Sequence, residues 1–361
     1  MRGFGMAKKK IVKKKKTLSK RVPVKKIKRK VTALVKDMTN ESYSLQKNGI
    51  TQSLMSYYMK CKRLFLFKIN KWESEGYNHT TSFGSLVHDI LAFLYKGAYN
   101  EIVVLKKESI ADCLNYLIDL YEHEQEDAGK LDGIDLQEWE WEKAVTSTVL
   151  EAYIKYYPED FKDKKFTEVE TELVCDLFDT PIKIKLDGKY EIKGGKNWLM
   201  EHKTKSRITE NTMMKRLSFD FQNLTYLTVC EKIFKQKIDG VLYNIIRKPG
   251  IRKRVNENLV DYKIRLEEDL KKRPDFYFMR YEIPYTDKDK SNYICELQSV
   301  LSDIGEMGPE KSSDDFYKNP YACESPFPCN FLDACASGKM SGYNKRKLLF
   351  PELSTLNEVE K

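Results

Sequence analysis

The sequence predicts an α/β fold with a helical N-terminal part, on three observations. Helix-period apolar stripes fill the chain up to about residue 156. From Phe166 the pattern changes to strict alternation. Beyond residue 203, helical and strand-like stretches follow one another, the order expected of helices packed on a sheet.

Residues 1–36 hold 16 of the 64 Lys and Arg and no acid, which leaves 48 basic against 54 acidic residues in the remainder. Residues 1–40 are therefore expected to be a disordered basic tail, solvated and attracted to phosphate-rich partners, or a localisation signal. Residues 41–165 form a helical region. Ser53–Cys61 reads as a helix and is followed by the apolar run Leu64–Phe67. In a second helix, Thr81–Tyr95, Leu86, Ile90 and Phe93 share a core-facing stripe with Val87, Leu91 and Leu94. Long acidic helices follow at 109–126 and 136–156. Residues 166–260 are the α/β core, with strands at 169–175 and 182–187, a Gly194-Gly195 turn, a strand at 197–203, a helix at 217–235 and a strand at 240–246. Residues 261–310 extend it with helices at 259–274 and 291–307 around an edge strand at 277–283. Residues 311–361 are a cysteine-bearing segment and tail.

A hydrophobic content of 41%, with 12% aromatics, supplies a core. No apolar run approaches the roughly 20 residues of a membrane helix, and no hydrophobic region follows the basic N-terminus as a secretory signal requires. A cytoplasmic or nuclear location and no membrane partner are expected. The eight cysteines are then read as thiols rather than disulfides. Cys113, Cys175, Cys230 and Cys295 read as small buried hydrophobes.

Glu201-His202-Lys203 ends the run Trp198-Leu199-Met200. On a strand, Glu201 and Lys203 share one face and His202 takes the other. Asp187, 14 residues upstream across the Gly-Gly turn, can approach Glu201. Two carboxylates so placed repel each other, and a divalent cation between them removes that cost. Lys203 would orient or deprotonate an attacking water, or neutralise charge on a phosphate. Alone, the acid-x-lysine tripeptide is more often a surface ion pair. Glu191 is a rival second carboxylate within Gly188-Lys189-Tyr190-Glu191. His88, one turn after Gly84 and Ser85, offers an imidazole ligand, although a lone helical His is commonly structural. Gln222 and Tyr226, four apart on a helix, can contact phosphate or base edges. Arg247 and Lys248 are weaker phosphate contacts. Cys323-x5-Cys329-x5-Cys335, with Cys61 as a fourth thiolate, suits a [4Fe–4S] cluster, with Zn²⁺ as the alternative. Either would clip residue 61 to residue 323.

Taken in order, Cys61, Gly84-x3-His88, Asp187, Glu201-x-Lys203, Gln222-x3-Tyr226 and the C-terminal cysteine triplet resemble the PD-(D/E)xK nuclease superfamily. The resemblance is to its RecB-like, AddB-like iron–sulfur exonuclease branch, over residues 52–336. Trp198–Ser206 also resembles phage-encoded members. The resemblance implies a restriction-endonuclease-like core with a central mixed sheet. It implies Mg²⁺ or Mn²⁺ on His88, Asp187 and Glu201, with Lys203 assisting the water. Gln222 and Tyr226 would contact DNA. It further implies a metal-dependent exonuclease on single strands or DNA ends in recombination, repair or phage DNA metabolism, with a helicase or recombination protein as partner. No GxxxxGK[ST] loop is present, so no motor is expected in this chain. The alternative is a non-cleaving DNA-binding or structural protein on the same fold.

Overall fold

The computed structural model describes residues 38–356 except 75–78, 128–134, 193, 309, 325–327 and 354. The basic tail expected over 1–40 therefore lies almost wholly outside the described residues.

The chain opens with α1 (Leu45–Asn48), β1 (Ile50–Thr51), α2 (Gln52–Lys60), α3 (Lys62–Ile69) and β2 (Trp72–Ser74). The helices α4 (His79–Phe93), α5 (Ile110–Asp127) and α6 (Leu136–Tyr156) follow. The strands β3 (Lys165–Leu177), β4 (Thr180–Ile192) and β5 (Lys196–Lys205) then run in succession. Next come α7 (Glu210–Leu217), α8 (Phe221–Phe234), β6 (Gly240–Arg247), α9 (Leu259–Lys272), α10 (Pro274–Tyr277), β7 (Phe278–Pro284) and α11 (Asp287–Gly305). The C-terminal part adds α12 (Leu332–Ser337) and β8 (Tyr343–Lys345).

The sheet is mixed, in the order β1-β4-β5-β6-β7, with β3 also pairing β4. The β5–β6 pair is parallel; β3–β4, β4–β5 and β6–β7 are antiparallel. The central strand β6 alternates between two cores. Val241, Tyr243 and Ile245 join the layer built on α2, α3, α8 and α11. Leu242 and Ile246 join the layer of α4, α5, α6 and α9. With helices on both faces, β6 is buried from Gly240 to Ile246, as a two-sided central strand must be.

The feature that positions the site is a split in the sheet. One edge of β4 is covered by β3 along nearly its whole length. Its other edge pairs with β1 only at Ile182 and Lys183, and with β5 only from Gly188 onward. Between these partners the edge opens at residues 184–187.

Four expectations need correction. The helix expected at 217–235 is interrupted at 218–220, because the Asp220 carboxylate accepts from the N–H groups of Gln222 and Asn223 (3.1 Å each) and starts a new helix there. The apolar run Leu64–Phe67 lies inside the helix α3, which is buried nearly all round. The region 41–165 is not purely helical, since it contributes β1 and β2; β2 pairs antiparallel with β8 near the C-terminus. Cys295 is exposed rather than buried. No helix among the described residues is long and apolar enough to cross a membrane.

Candidate active site

Asp187 lies where the sheet opens. The Gly188–Met200 register makes Glu201 its cross-strand neighbour. Past that pair the β4–β5 ladder stops, and Asp187 itself takes the next donor: its Oδ2 accepts from the His202 N–H at 2.7 Å. The carboxylate thereby satisfies a backbone group that the split would leave unpaired. Glu191 sits four residues along β4, opposite Asn197 near the hairpin turn, roughly 13 Å away along the strand. Of the two rivals, Asp187 is the one beside Glu201.

Glu201 is 3% exposed. Its Oε1 accepts from Gln222 Nε2 at 2.8 Å and from the Lys203 ammonium, and Lys203 Nζ donates to Gln222 Oε1 at 3.1 Å. These three side chains close a triangle between β5 and the first turn of α8, which the Asp220 cap fixes. Tyr226, one turn further along α8, packs on the same layer. His202 points the other way. Its Nδ1 lies 2.8 Å from Asn244 Nδ2, and its ring stacks on Tyr95 at 5.6 Å.

α4 delivers His88. The helix lies tightly on β5 because Gly84 has no side chain: a Cβ there would come within 2.9 Å of Thr204 Oγ1. His88 Nδ1 stands 3.6 Å from Asp187 Oδ1. A third group joins them that the sequence reading missed. Glu170, on β3, offers a carboxylate oxygen that lies with one atom each of His88 and Asp187 inside a mutual distance of 4.8 Å. It also pairs with Lys185 Nζ at 2.7 Å. Among the described residues this is the set that closes to such a distance; the expected trio of His88, Asp187 and Glu201 does not, because Glu201 is turned toward Lys203 and Gln222.

The electrostatics follow from crowded charge in a dry place. Burial pushes the Glu201 carboxyl up to about 7, with Asp187 adding to the rise and Lys203 opposing it. Burial also pushes Asp187 up, but the His88 imidazole outweighs it and holds the carboxyl well below the usual range. Glu170 is raised by burial and then by Asp187. Burial tends to lower His88 and Lys203, yet Asp187 raises the first and Glu201 the second above their ordinary values. Tyr226 is raised well above the phenol range, chiefly by burial. Carboxylate oxygens and an imidazole nitrogen gathered in one buried place suit a hard divalent cation such as Mg²⁺ or Mn²⁺.

Arg247 is the last residue of β6, paired with Lys205 of β5, and Lys248 follows it. Arg247 Nε donates to the Phe276 carbonyl (2.8 Å) and its guanidinium lies over the Phe276 ring. Lys248 Nζ is 3.4 Å from a Glu142 oxygen.

Cys61 links the end of α2 to the start of α3, and Cys335 lies on α12. Together with Cys323 and Cys329 they line one small cavity, closed by Leu64, Phe67 and Phe331. No three of their sulfurs lie within 4.8 Å of one another.

Residues 50–336 match the sequence profile of the PD-(D/E)XK nuclease superfamily. The chain belongs to that superfamily. Two solved structures resemble it. A protein named "Putative exonuclease" from Eubacterium rectale is 13% identical, with 86% of this chain and 94% of that one covered and a TM-score of 0.43. SSO0001 is 16% identical, with 71% and 85% covered and a TM-score of 0.26. No curated protein matches the chain.

Proposed function

We propose that the chain is a divalent-metal-dependent DNA nuclease acting on single strands or DNA ends, as an exonuclease of the RecB-like, AddB-like kind. The observation that carries this reading is the convergence, at the split between β4 and β5, of Asp187, Glu201 and Lys203 with His88 from α4 and Gln222 from α8. Asp187, His88 and Glu170 would hold Mg²⁺ or Mn²⁺, with Glu201 joining them on turning its carboxylate from Lys203 and Gln222. The ion would supply Lewis acidity toward the scissile phosphate and its attacking water.

The protein's own contributions follow from the geometry. The His202 N–H fixes the Asp187 carboxylate. Gln222 bridges Glu201 and Lys203, so that an ammonium is held against the carboxylate instead of ranging through solvent. An ammonium held high in its pKa is charged at neutral pH, so Lys203 serves to orient a water and to offset negative charge gathering on the phosphate. Tyr226 and Gln222 would meet the DNA backbone, and Arg247 and Lys248 would lie along its path.

The four cysteines that share a cavity would carry a [4Fe–4S] cluster.

The test is cleavage of 5′- and 3′-labelled oligonucleotides, single- and double-stranded, with Mg²⁺ or Mn²⁺. Glu201→Gln and Lys203→Ala are expected to lower turnover by about 10²–10⁴-fold while thermal melting shows both variants folded. Wild-type-like turnover in both would defeat the assignment.

A further inference from the structure

Beyond β6 the chain runs Arg247-Lys248-Pro249-Gly250-Ile251-Arg252-Lys253-Arg254, five cations and no acid in eight residues. This segment is pinned. The Lys248 N–H donates to the Lys205 carbonyl (2.9 Å), and the Tyr262 hydroxyl donates to that of Ile251 (3.1 Å). Arg265 donates to the Arg252 carbonyl (3.0 Å) and grips both oxygens of Glu257 (2.9 and 2.7 Å).

The segment forms one wall of a groove of about 470 Å³, whose other surfaces include Trp141 of α6, Phe83 of α4 and Tyr262 of α9. Trp141 is half-buried and meets Tyr262 edge-on, at 4.7 Å and 65°. Over its ring sits the exposed Lys253, with Nζ 4.5 Å from the centroid. Lys248 Nζ lies 5.1 Å from the Phe83 centroid on the other side. The groove begins where the catalytic strand ends. Lys203 pairs with Ile245 and Lys205 with Arg247, which puts Lys248 about 10 Å beyond Lys203 along the strand direction. Phe83 directly precedes Gly84, the point of contact with Thr204.

We infer that this groove takes one unstacked base of a single-stranded DNA, laid on the Trp141 indole, with Lys248 and Lys253 holding the phosphates on either side. The inference rests on the nuclease reading and deepens it by naming the form of DNA the site selects. An aromatic wall interleaved with cations is the chemistry of single-strand binding, where every base offers a face to stack and the backbone offers charge. A bare phosphate would use the lysines and leave the aromatic walls without purpose. A duplex keeps its bases paired and stacked, so it can reach the cations and not the indole. Gln137 and Glu138 on the rim present an amide and a carboxylate, groups that match the amines of base edges rather than phosphate.

The experiment uses the full chain in a Glu201→Gln background, which stops turnover, and measures anisotropy of a labelled oligothymidylate and of a labelled blunt duplex. Adding Trp141→Ala should raise Kd for the single strand by about 5–100-fold, leave the duplex unchanged, and be largely rescued by Trp141→Phe. Lys253→Glu, an exposed change, should weaken both forms and flatten the salt dependence by about one phosphate contact. Single-strand affinity unmoved by Trp141→Ala, or an equal loss on single strand and duplex, would overturn the base subsite. Cleavage by protein retaining Glu201 is read separately. Activity with an unmoved Trp141→Ala affinity removes the groove and keeps the nuclease. Absence of both cleavage and single-strand binding removes both.

Discussion

Glu201 and Lys203 depend on the residue between them. His202 turns its imidazole into the opposite layer, where burial lowers it to about 3, so it is neutral at any working pH. Its backbone N–H meanwhile anchors Asp187. Strand alternation made this division of labour legible in the tripeptide alone. Glu170 was not legible in the same way. Glu168, Glu170 and Glu172 alternate as any solvated strand face does, and nothing in the letters separates the middle one. Its backbone is left-handed, with φ at 51°, where β3 passes Asp187. Such a conformation is uncommon for a non-glycine residue and is invisible to periodicity. Gly84 makes the opposite case, since its position one turn before His88 marked a close approach that the structure realises on Thr204. Gly84→Ala should push α4 off β5, cost about 1–3 kcal/mol by overpacking, and lower activity by displacing His88. Adding Thr204→Ala should restore both. A double variant no better than the single, in melting and in cleavage, would show that the contact does not set the helix position.

At the scale of elements, the catalytic strand is held from behind by a buried polar network that joins four segments. Asn244 of β6 touches His202 and accepts from Arg280 Nε of β7 at 2.9 Å. Arg280 reaches Asp160, just after α6, with a second bond from NH1 at 2.9 Å, and donates to the Tyr153 hydroxyl at 2.7 Å. The Tyr95 hydroxyl donates to Asp160 at 2.9 Å, and Lys164 pairs with the same carboxylate. The elements themselves were readable: β4 alternates, and β6 is a short apolar run as a strand covered on both faces requires. The network was not, since directly bonded members lie up to 127 residues apart and each is unremarkable in its own stretch. Burial pushes the Asp160 carboxyl up, but Arg280 and Lys164 pull it further down, so its folded value lies below the unfolded one of about 3.9. A depressed acid contributes its stability above the unfolded value and loses it as pH falls through the folded value. Asp160→Asn should therefore cost about 3–5 kcal/mol at neutral pH, by leaving Arg280 buried without its partner. The gap between parent and variant in urea melts should close only below about pH 4. A gap that stays constant down to acid denaturation would place the effect in packing rather than charge.

Across the whole molecule, several contacts tie the N-terminal helices to the C-terminal segment, and three of them bear on the cysteines. β2 pairs with β8. Buried Arg63 donates from Nε to the Phe316 carbonyl at 3.0 Å and from its NH2 to that of Ser313. The four cysteines face one cavity between α2, α3 and α12. The sequence reading grouped Cys61 with the C-terminal triplet, and the four side chains line one cavity. The three-residue β2 and β8 were not readable, since strands so short carry no usable alternation. If the cysteines hold a cluster, the first two ties must share the load when it is lost. The ladder has only three residue pairs and Arg63 makes two bonds, so neither replaces a bond network that links folding to metal binding. The Glu201–Lys203–Gln222 triangle makes its hydrogen bonds within itself and none to the residues lining the cavity, so its polar contacts should outlast a loosening there. Cys335→Ala is therefore expected to abolish the brown colour of anaerobically purified protein and to lower Tm. It should open the chain to limited proteolysis first within residues 310–345, while the folded fraction still cleaves DNA. Retained colour with an unchanged Tm would show that Cys335 is not a ligand, and a colourless parent carrying stoichiometric zinc would assign the cavity to zinc instead.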